Sequence, residues 1–467
     1  MNKTKKTLKP FELLNYHMDL KIDILQFLFK FPRFLNGFLF FLRPIYLKKE
    51  TAWNKRFRWL FLVLGAGKAD TLELKAMSHA LYAVTDNFFE VKAAKKNREK
   101  IVWVEWILNP EICEAFDLVS FNPEVLNVFA NSKGMEYPPM IIEAAENQGT
   151  PIENCSAQKL AVGSLILEQI PKPSLILGGS HPCDTSISIY QTLEYLTGAP
   201  SYIMDFPYWK DEDSYRYYEK NTWELLSFLK KETGKDVDWD KLKTLLDRVN
   251  QINNYLREIC EMSRAKPCPS SNSLLALAWA IREVNLRSPH MLSMVKAMHQ
   301  LVRKRYEKGE GVVKKEKLRI LLWFPPIPFF FYYFKWMEEN FGAVIVADFI
   351  GYVSTVHIDT SSKETMIRDL AISQMHLAMG RQCHGPMEFI TDEMLKLIDE
   401  YEPDCMIFSG HNGCKHGWAG LKIIQDICRG KDLPVLYLNL DIMDKRHTSE
   451  EEIKKQTITF FKSHGWA

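Results

Sequence analysis

Gly178-Gly179-Ser180-His181-Pro182-Cys183-Asp184 follows the apolar run Ser174-Leu175-Ile176-Leu177 and leads into helical spacing over residues 187–195. A short unbroken apolar run, ended by glycines and followed by a helix, predicts a strand buried on both faces that opens onto a helix N-terminus. In an open α/β sheet that carboxyl edge is where ligands and chemistry collect. Here it carries a cysteine. The layout recurs near the other end of the chain, where Asp404-Cys405-Met406-Ile407-Phe408 runs into Ser409-Gly410-His411-Asn412-Gly413-Cys414-Lys415-His416. Two strand-end cysteines call for one explanation.

Working outward, short apolar runs at 101–107, 117–121 and 201–204 alternate with helices opened by Pro110-Glu111-Ile112 and spanning 140–147. That βα alternation predicts a parallel sheet over residues 101–210. Residues 211–315 are charged and helical, with Leu242, Leu245, Leu246, Val249 and Ile252 on one face, and read as a connector broken by Pro267 and Pro269. Strand texture resumes in residues 316–467, at 319–324, 344–347, 405–408 and 435–438, between helices at 331–340, 365–379 and 419–428. Residues 1–100 read as a mainly helical extension, with helical spacing over 72–89 and a charged exit over 91–100. The predicted fold class is α/β, two Rossmann/flavodoxin-like parallel-sheet domains with a helical insert, and the pair implies a cleft between them.

A chain of 467 residues is too long for one ordinary core. Its formal net charge of +2 points to no nucleic-acid partner. Residues 24–47 are rich in Phe and Leu, but Lys30, Arg33 and Arg43 interrupt them and Pro32 and Pro44 break helices, so membrane contact is not expected. Gly65-Ala66-Gly67-Lys68 is not a phosphate loop, because Ala69 stands where a metal-binding Ser or Thr is needed. The nine cysteines are dispersed, odd in number and preceded by no export signal. They read as reduced thiols or metal ligands in a cytoplasmic protein rather than as a disulfide framework.

No C-x-x-C occurs, so any metal site must gather ligands from distant loops. Cys155, Cys183 and Cys414 stand in turn contexts and are the candidate ligands. Cys428 completes a helix face with Leu421, Ile424 and Ile427, and Cys260 and Cys405 likewise read as core. Cys383, in the expected loop Arg381-Gln382-Cys383-His384-Gly385-Pro386, is placed to line the cleft, whereas Cys113 and Cys268 have no evident role. Three thiolates suit a 4Fe-4S cluster with one iron left open to substrate. Zinc is the rival, with His181, His411 and His416 as nitrogen donors, and the residue types alone leave both open.

The ordered set Pro110-Glu111, Cys155-Ser156 with Lys159 and Gly163, Cys183-Asp184, Gly198-Ala199-Pro200 with Asp205 and Pro207, Gly385-Pro386, Gly413-Cys414, and Leu433-Pro434-Val435 leading to Asp441 resembles one family. It is similar to the 2-hydroxyacyl-CoA dehydratases and ATP-dependent benzoyl-CoA reductases, in the D-component type of subunit. The resemblance covers residues 100–465. It implies a 4Fe-4S cluster held by Cys155, Cys183 and Cys414, an acyl-CoA substrate, a related second subunit making a heterodimer, and a separate ATP-hydrolysing iron-sulfur activator. The last fits the missing phosphate loop. In the dehydratases a single low-potential electron makes a ketyl radical anion that expels the 2-hydroxyl; in the reductases the aromatic ring keeps the electrons. Glu111 is the candidate acid/base, against a plain helix-start carboxylate. Ser156 is the candidate hydrogen-bond donor to the cluster or thioester, against a helix cap. Asp184 is expected as a helix cap or a site residue, and Asp441, Asp444 and Arg446 as contacts to CoA or the partner subunit, against a local salt-bridge network. The unmatched Cys383 and His384, with the spare thiols, leave room for a double-cubane 8Fe-9S reductase of small molecules. A non-catalytic electron-relay subunit and a zinc-dependent or metal-free CoA-binding protein complete the alternatives.

Overall fold

The computed structural model describes residue 31, residues 70–125 apart from 98 and 109, and residues 138–467 apart from 325, 326 and 328–331. The Phe-rich stretch at 24–47, save residue 31, and the Gly65–Lys68 stretch lie outside the described residues. Two four-stranded parallel sheets organise the chain. In the first, β1 (Ile101–Val104), β2 (Val119–Phe121), β3 (Leu175–Gly179) and β4 (Ser201–Met204) lie in the order β2-β1-β3-β4. In the second, β5 (Leu318–Trp323), β6 (Ala343–Asp348), β7 (Cys405–His411) and β8 (Val435–Leu440) repeat it as β6-β5-β7-β8. Helices cover both faces, which is why β1, β3, β5, β6 and β7 are buried at every residue and read as unbroken apolar runs.

Each sheet steps outward once and then crosses back, so it has a switch point, between β1 and β3 in one and β5 and β7 in the other. Crevices at such points receive ligands. Cys183 follows β3 and Cys414 follows β7, so each stands beside one.

The helices in chain order are α1 (Thr71–Asn97), α2 (Glu111–Glu114), α3 (Pro138–Glu146), α4 (Ser156–Ile166) and α5 (Asp184–Thr197). The connector holds α6 (Glu212–Thr233), α7 (Trp239–Met262), α8 (Asn272–Asn285) and α9 (Pro289–Glu307). Around the second sheet lie α10 (Tyr333–Phe341), α11 (Lys363–Met375), α12 (Gly380–Cys383), α13 (Glu388–Tyr401), α14 (Lys415–Ala419), α15 (Leu421–Gly430) and α16 (Glu450–Ser463). Helix α1 runs through the expected charged exit to Asn97, because Val91 and Ala94 still find burial against the first sheet.

One apolar core runs from Val104 and Leu177 through Ile259 and Met298 of the connector to Trp323 and Phe408. The connector therefore welds the sheets together. Its α7 does so through Leu242, Leu246, Val249, Leu256 and Ile259, a stripe at helical spacing. Helices α3 and α4 also cross: Ile142, Cys155 and Leu160 pack with Ile320, Ile407 and Leu440 of the second sheet, while Ala161 and Val162 face the first. That crossing carries Cys155 toward Cys414. Among the described residues no helix is long and apolar enough to cross a membrane.

Candidate functional site

Cys155, Cys183 and Cys414 are the N-cap residues of α4, α5 and α14. Each has non-helical backbone, which turns its side chain back over the unpaired N–H groups of the first turn. Cys155 faces the amides of Ala157 and Gln158, Cys183 those of Thr185 and Ser186, and Cys414 those of His416 and Gly417. These donors favour a thiolate. Burial outweighs them, pushing Cys183 up to about 12 and Cys155 and Cys414 above the usual thiol range. The three groups are built to carry negative charge once a cation relieves the desolvation.

The loops that hold them touch. A Cβ on Gly413 would lie 2.7 Å from the Cys155 Cα and 2.8 Å from the Asn154 carbonyl oxygen, so only glycine lets the two backbones meet there. The Cys183 thiol is near enough to Cys155 to oppose its ionisation, and Cys414 acts likewise on Cys183. Ser156 Oγ donates to Asp441 Oδ1 at 2.5 Å, and Lys415 Nζ pairs with Asp184 Oδ2 at 2.7 Å, both across the boundary between the sheets. Asp441 also accepts from the N–H groups of Met443 and Asp444 at 2.9 and 2.8 Å. The Ile442 N–H donates to His411 Nδ1 at 3.3 Å, which leaves the ring proton on Nε2, 3.4 Å from Cys155 Sγ.

A fourth thiol joins them. Cys383 is not in a loop but closes the one-turn helix α12, buried, and its ionisation is opposed by burial first and then by Cys414 and Cys183. It stands at the carboxyl end of its helix and so lacks the amide donors of the other three. Cys260, Cys405 and Cys428 are core residues, and Cys113 and Cys268 are also buried. Among the described residues no three His, Cys, Asp or Glu side chains are poised around a single metal ion.

Of the other sequence candidates, Glu111 opens α2 fully enclosed, with burial raising its carboxyl and Arg282 opposing the rise. The carboxyl whose charge bears on Cys183 belongs instead to Glu105, directly after β1. A strand-end acid at a switch point was the available signal for it. Asp184 begins α5 rather than capping it. Arg446 forms the local salt bridge, to Asp444 and, at 2.7 Å, to Glu143. His181 is buried and stacked on Phe206 at 4.2 Å between ring centres. His416 follows Cys414 in the first turn of α14.

The sequence profile of the family described as 2-hydroxyglutaryl-CoA dehydratase, D-component, matches residues 105–463, which include all four clustered cysteines. The chain belongs to this family. A benzoyl-CoA reductase subunit of Thauera aromatica is 21% identical over 403 residues, covering 81% of this chain and 92% of that protein. The alpha subunit of a lactoyl-CoA dehydratase of Anaerotignum propionicum is 22% identical over 205 residues, covering 38% of this chain and 48% of that protein. Both relatives are named as subunits, one of an oxidoreductase and one of a lyase, the two enzyme classes that the sequence resemblance implies. Helix α1 precedes the matched region of this dehydratase D-component family member.

Proposed function

We propose that the chain is the iron-sulfur subunit of a CoA-thioester dehydratase or reductase, with Cys155, Cys183 and Cys414 holding a 4Fe-4S cluster between the sheets. The observation that carries this reading is that three cysteines, each at the N-cap position of a helix and beside two amides of its first turn, bear on one another's ionisation. The donor set suits the group: thiolates are the usual ligands of such clusters, and amides directed at sulfur tune them. When bound, the cluster supplies single low-potential electrons, received from an ATP-hydrolysing activator, and its three ligands leave one iron open to the acyl-CoA. The chain's own residues fix the surroundings of the three cysteines. Ser156 and Asp441 tie the sheets beside Cys155, His411 presents an N–H to its sulfur, and aromatic and aliphatic burial excludes water. A related second subunit completes the enzyme.

Cys383 favours a second reading, a double-cubane 8Fe-9S centre that uses more thiols to reduce small molecules. Iron and sulfide counts on anaerobically purified protein separate the two. The first predicts about four irons per chain and the second about eight, with visible absorption lost in Cys183→Ala and kept in Cys113→Ala. Colourless protein sinks both. Assembly with the partner subunit, the activator and ATP, assayed on 2-hydroxyacyl-CoA and aryl-CoA thioesters, then decides dehydration against ring reduction. Turnover of neither in a fully loaded assembly points to an electron-relay subunit.

A further inference from the structure

Four glutamates from four parts of the chain are enclosed beside the site: Glu105 after β1, Glu111 in α2, Glu124 after β2 and Glu283 in α8, with 1%, 1%, 0% and 8% exposure. Ser186 Oγ donates to Glu105 Oε1 at 2.6 Å and accepts from Gln158 Nε2 at 2.6 Å. The Glu124 charge opposes ionisation of Glu105 and of Glu283, Glu111 acts likewise on Glu283, and the Tyr190 hydroxyl lies against Glu124. Arg282 is the cation set against Glu111 and Glu283, and it spends one N–H on Asn253 Oδ1 at 2.9 Å. Glu105 Oε2, Glu124 Oε1 and both Glu111 oxygens have no hydrogen-bond partner among the described residues. An unpaired buried carboxylate costs several kcal/mol, and one guanidinium cannot neutralise four.

The two ends of this array differ. At one, a Cβ on Gly179 would lie 2.7 Å from both Glu105 Oε2 and His181 Nδ1, so the glycine makes room for the carboxyl at the end of β3. At the other, Glu114 and Asn285, on the same helices as Glu111 and Glu283, line a solvent-open cavity of about 660 Å³.

We propose that Glu111, Glu283, Glu124 and Glu105 form a buried proton store, held as carboxylic acids, that serves the cysteine site through Glu105 and refills from the cavity beside α2. The need for protons there rests on the proposed function. In a dehydration the C–O bond breaks, the hydroxyl takes a proton from the store and leaves as water, and the proton lost from the neighbouring carbon restores it. In a ring reduction two electrons from the activator are joined by two protons, which solvent replaces.

Infrared spectra of the full chain in H2O and D2O at neutral pH test the store without turnover. The carbonyl stretch of protonated carboxyl groups should be present, shift slowly in D2O, and lose intensity in both Glu124→Gln and Glu283→Gln. Absence of that band from the wild-type protein overturns the proposal even where a variant fails to fold. In the assembled enzyme, on whichever CoA thioester the wild type turns over, Glu124→Gln should lower kcat at least tenfold. It should also raise the solvent isotope effect while KM and iron content stay unchanged. An unaltered kcat and isotope effect overturns the serving role. Wild-type protein that shows the band but turns over no CoA thioester leaves the store standing and removes the proposed function instead.

Discussion

Gly413 is a point of close backbone contact between the two halves of the chain. The atom that a side chain there would strike is the Cα of Cys155, part of the backbone, so no rotamer change relieves the contact. Gly413→Ala should therefore part Cys414 from Cys155 and remove most of the bound iron. Gly430→Ala, whose Cβ meets nothing within 4 Å, should keep it. Iron per chain and visible absorption of the two variants check this, and equal loading refutes the geometry. Ser156 makes a different kind of contact. Its hydroxyl is one of three donors to Asp441, so Ser156→Ala leaves the carboxylate with two backbone N–H groups. The expected cost is about 1.5–3 kcal/mol of unfolding free energy in urea, the range for one hydrogen bond to a charged acceptor. A change within error would show that Asp441 finds a replacement donor.

At the scale of elements, strand-then-glycine-then-helix was readable at β3–α5 because an apolar run buried on both faces leaves little else for it to be. The helix stripe of α15 was readable too, and Cys428 with it. The far end of β7 was not. Ser409, Gly410 and His411 look like turn residues, yet they pair with Leu438, Asn439 and Leu440, because β8 runs long enough to hold them. Local composition carries no record of what a neighbouring strand offers. Cys383 was placed in the cleft but in a loop, since the one-turn helix α12 that it closes has no local signal. In the connector, Asp238 Oδ1 accepts from the Lys241 N–H at 2.9 Å and so starts α7. Asp238→Ala should cost about 1 kcal/mol in urea unfolding, as N-cap losses do. Iron content should not change, because α7 reaches the cysteines only through the core; loss of iron would mean that the connector sets the site's geometry directly.

The whole molecule couples that core to the buried acids, because α8, the connector helix that carries Arg282 and Glu283, shares the core that joins both sheets. Burial lifts Glu283 from the ordinary 4.5 to about 8, with Arg282 opposing and Glu111 and Glu124 adding to the rise. Burial holds Glu124 at about 8 as well, against the Trp106 N–H, which donates to its Oε2 at 3.3 Å, and the neighbouring polar groups of Tyr190 and Gln158. The folded chain then keeps protons that the unfolded chain releases, so its stability is greatest below the unfolded value and falls as pH rises from about 4.5 to about 8. Each retained proton contributes a slope of about 1.4 kcal/mol per pH unit inside that window. Glu283→Gln removes one titrating group while keeping an amide of similar size, and should make the fall shallower by as much as one proton's share. Urea unfolding of wild type and variant at about pH 5.5 and about pH 7.5 measures it. The wild type should lose more stability than the variant between the two conditions. Parallel losses would mean that Glu283 is ionised in the folded protein, with Arg282 as its full counter-charge.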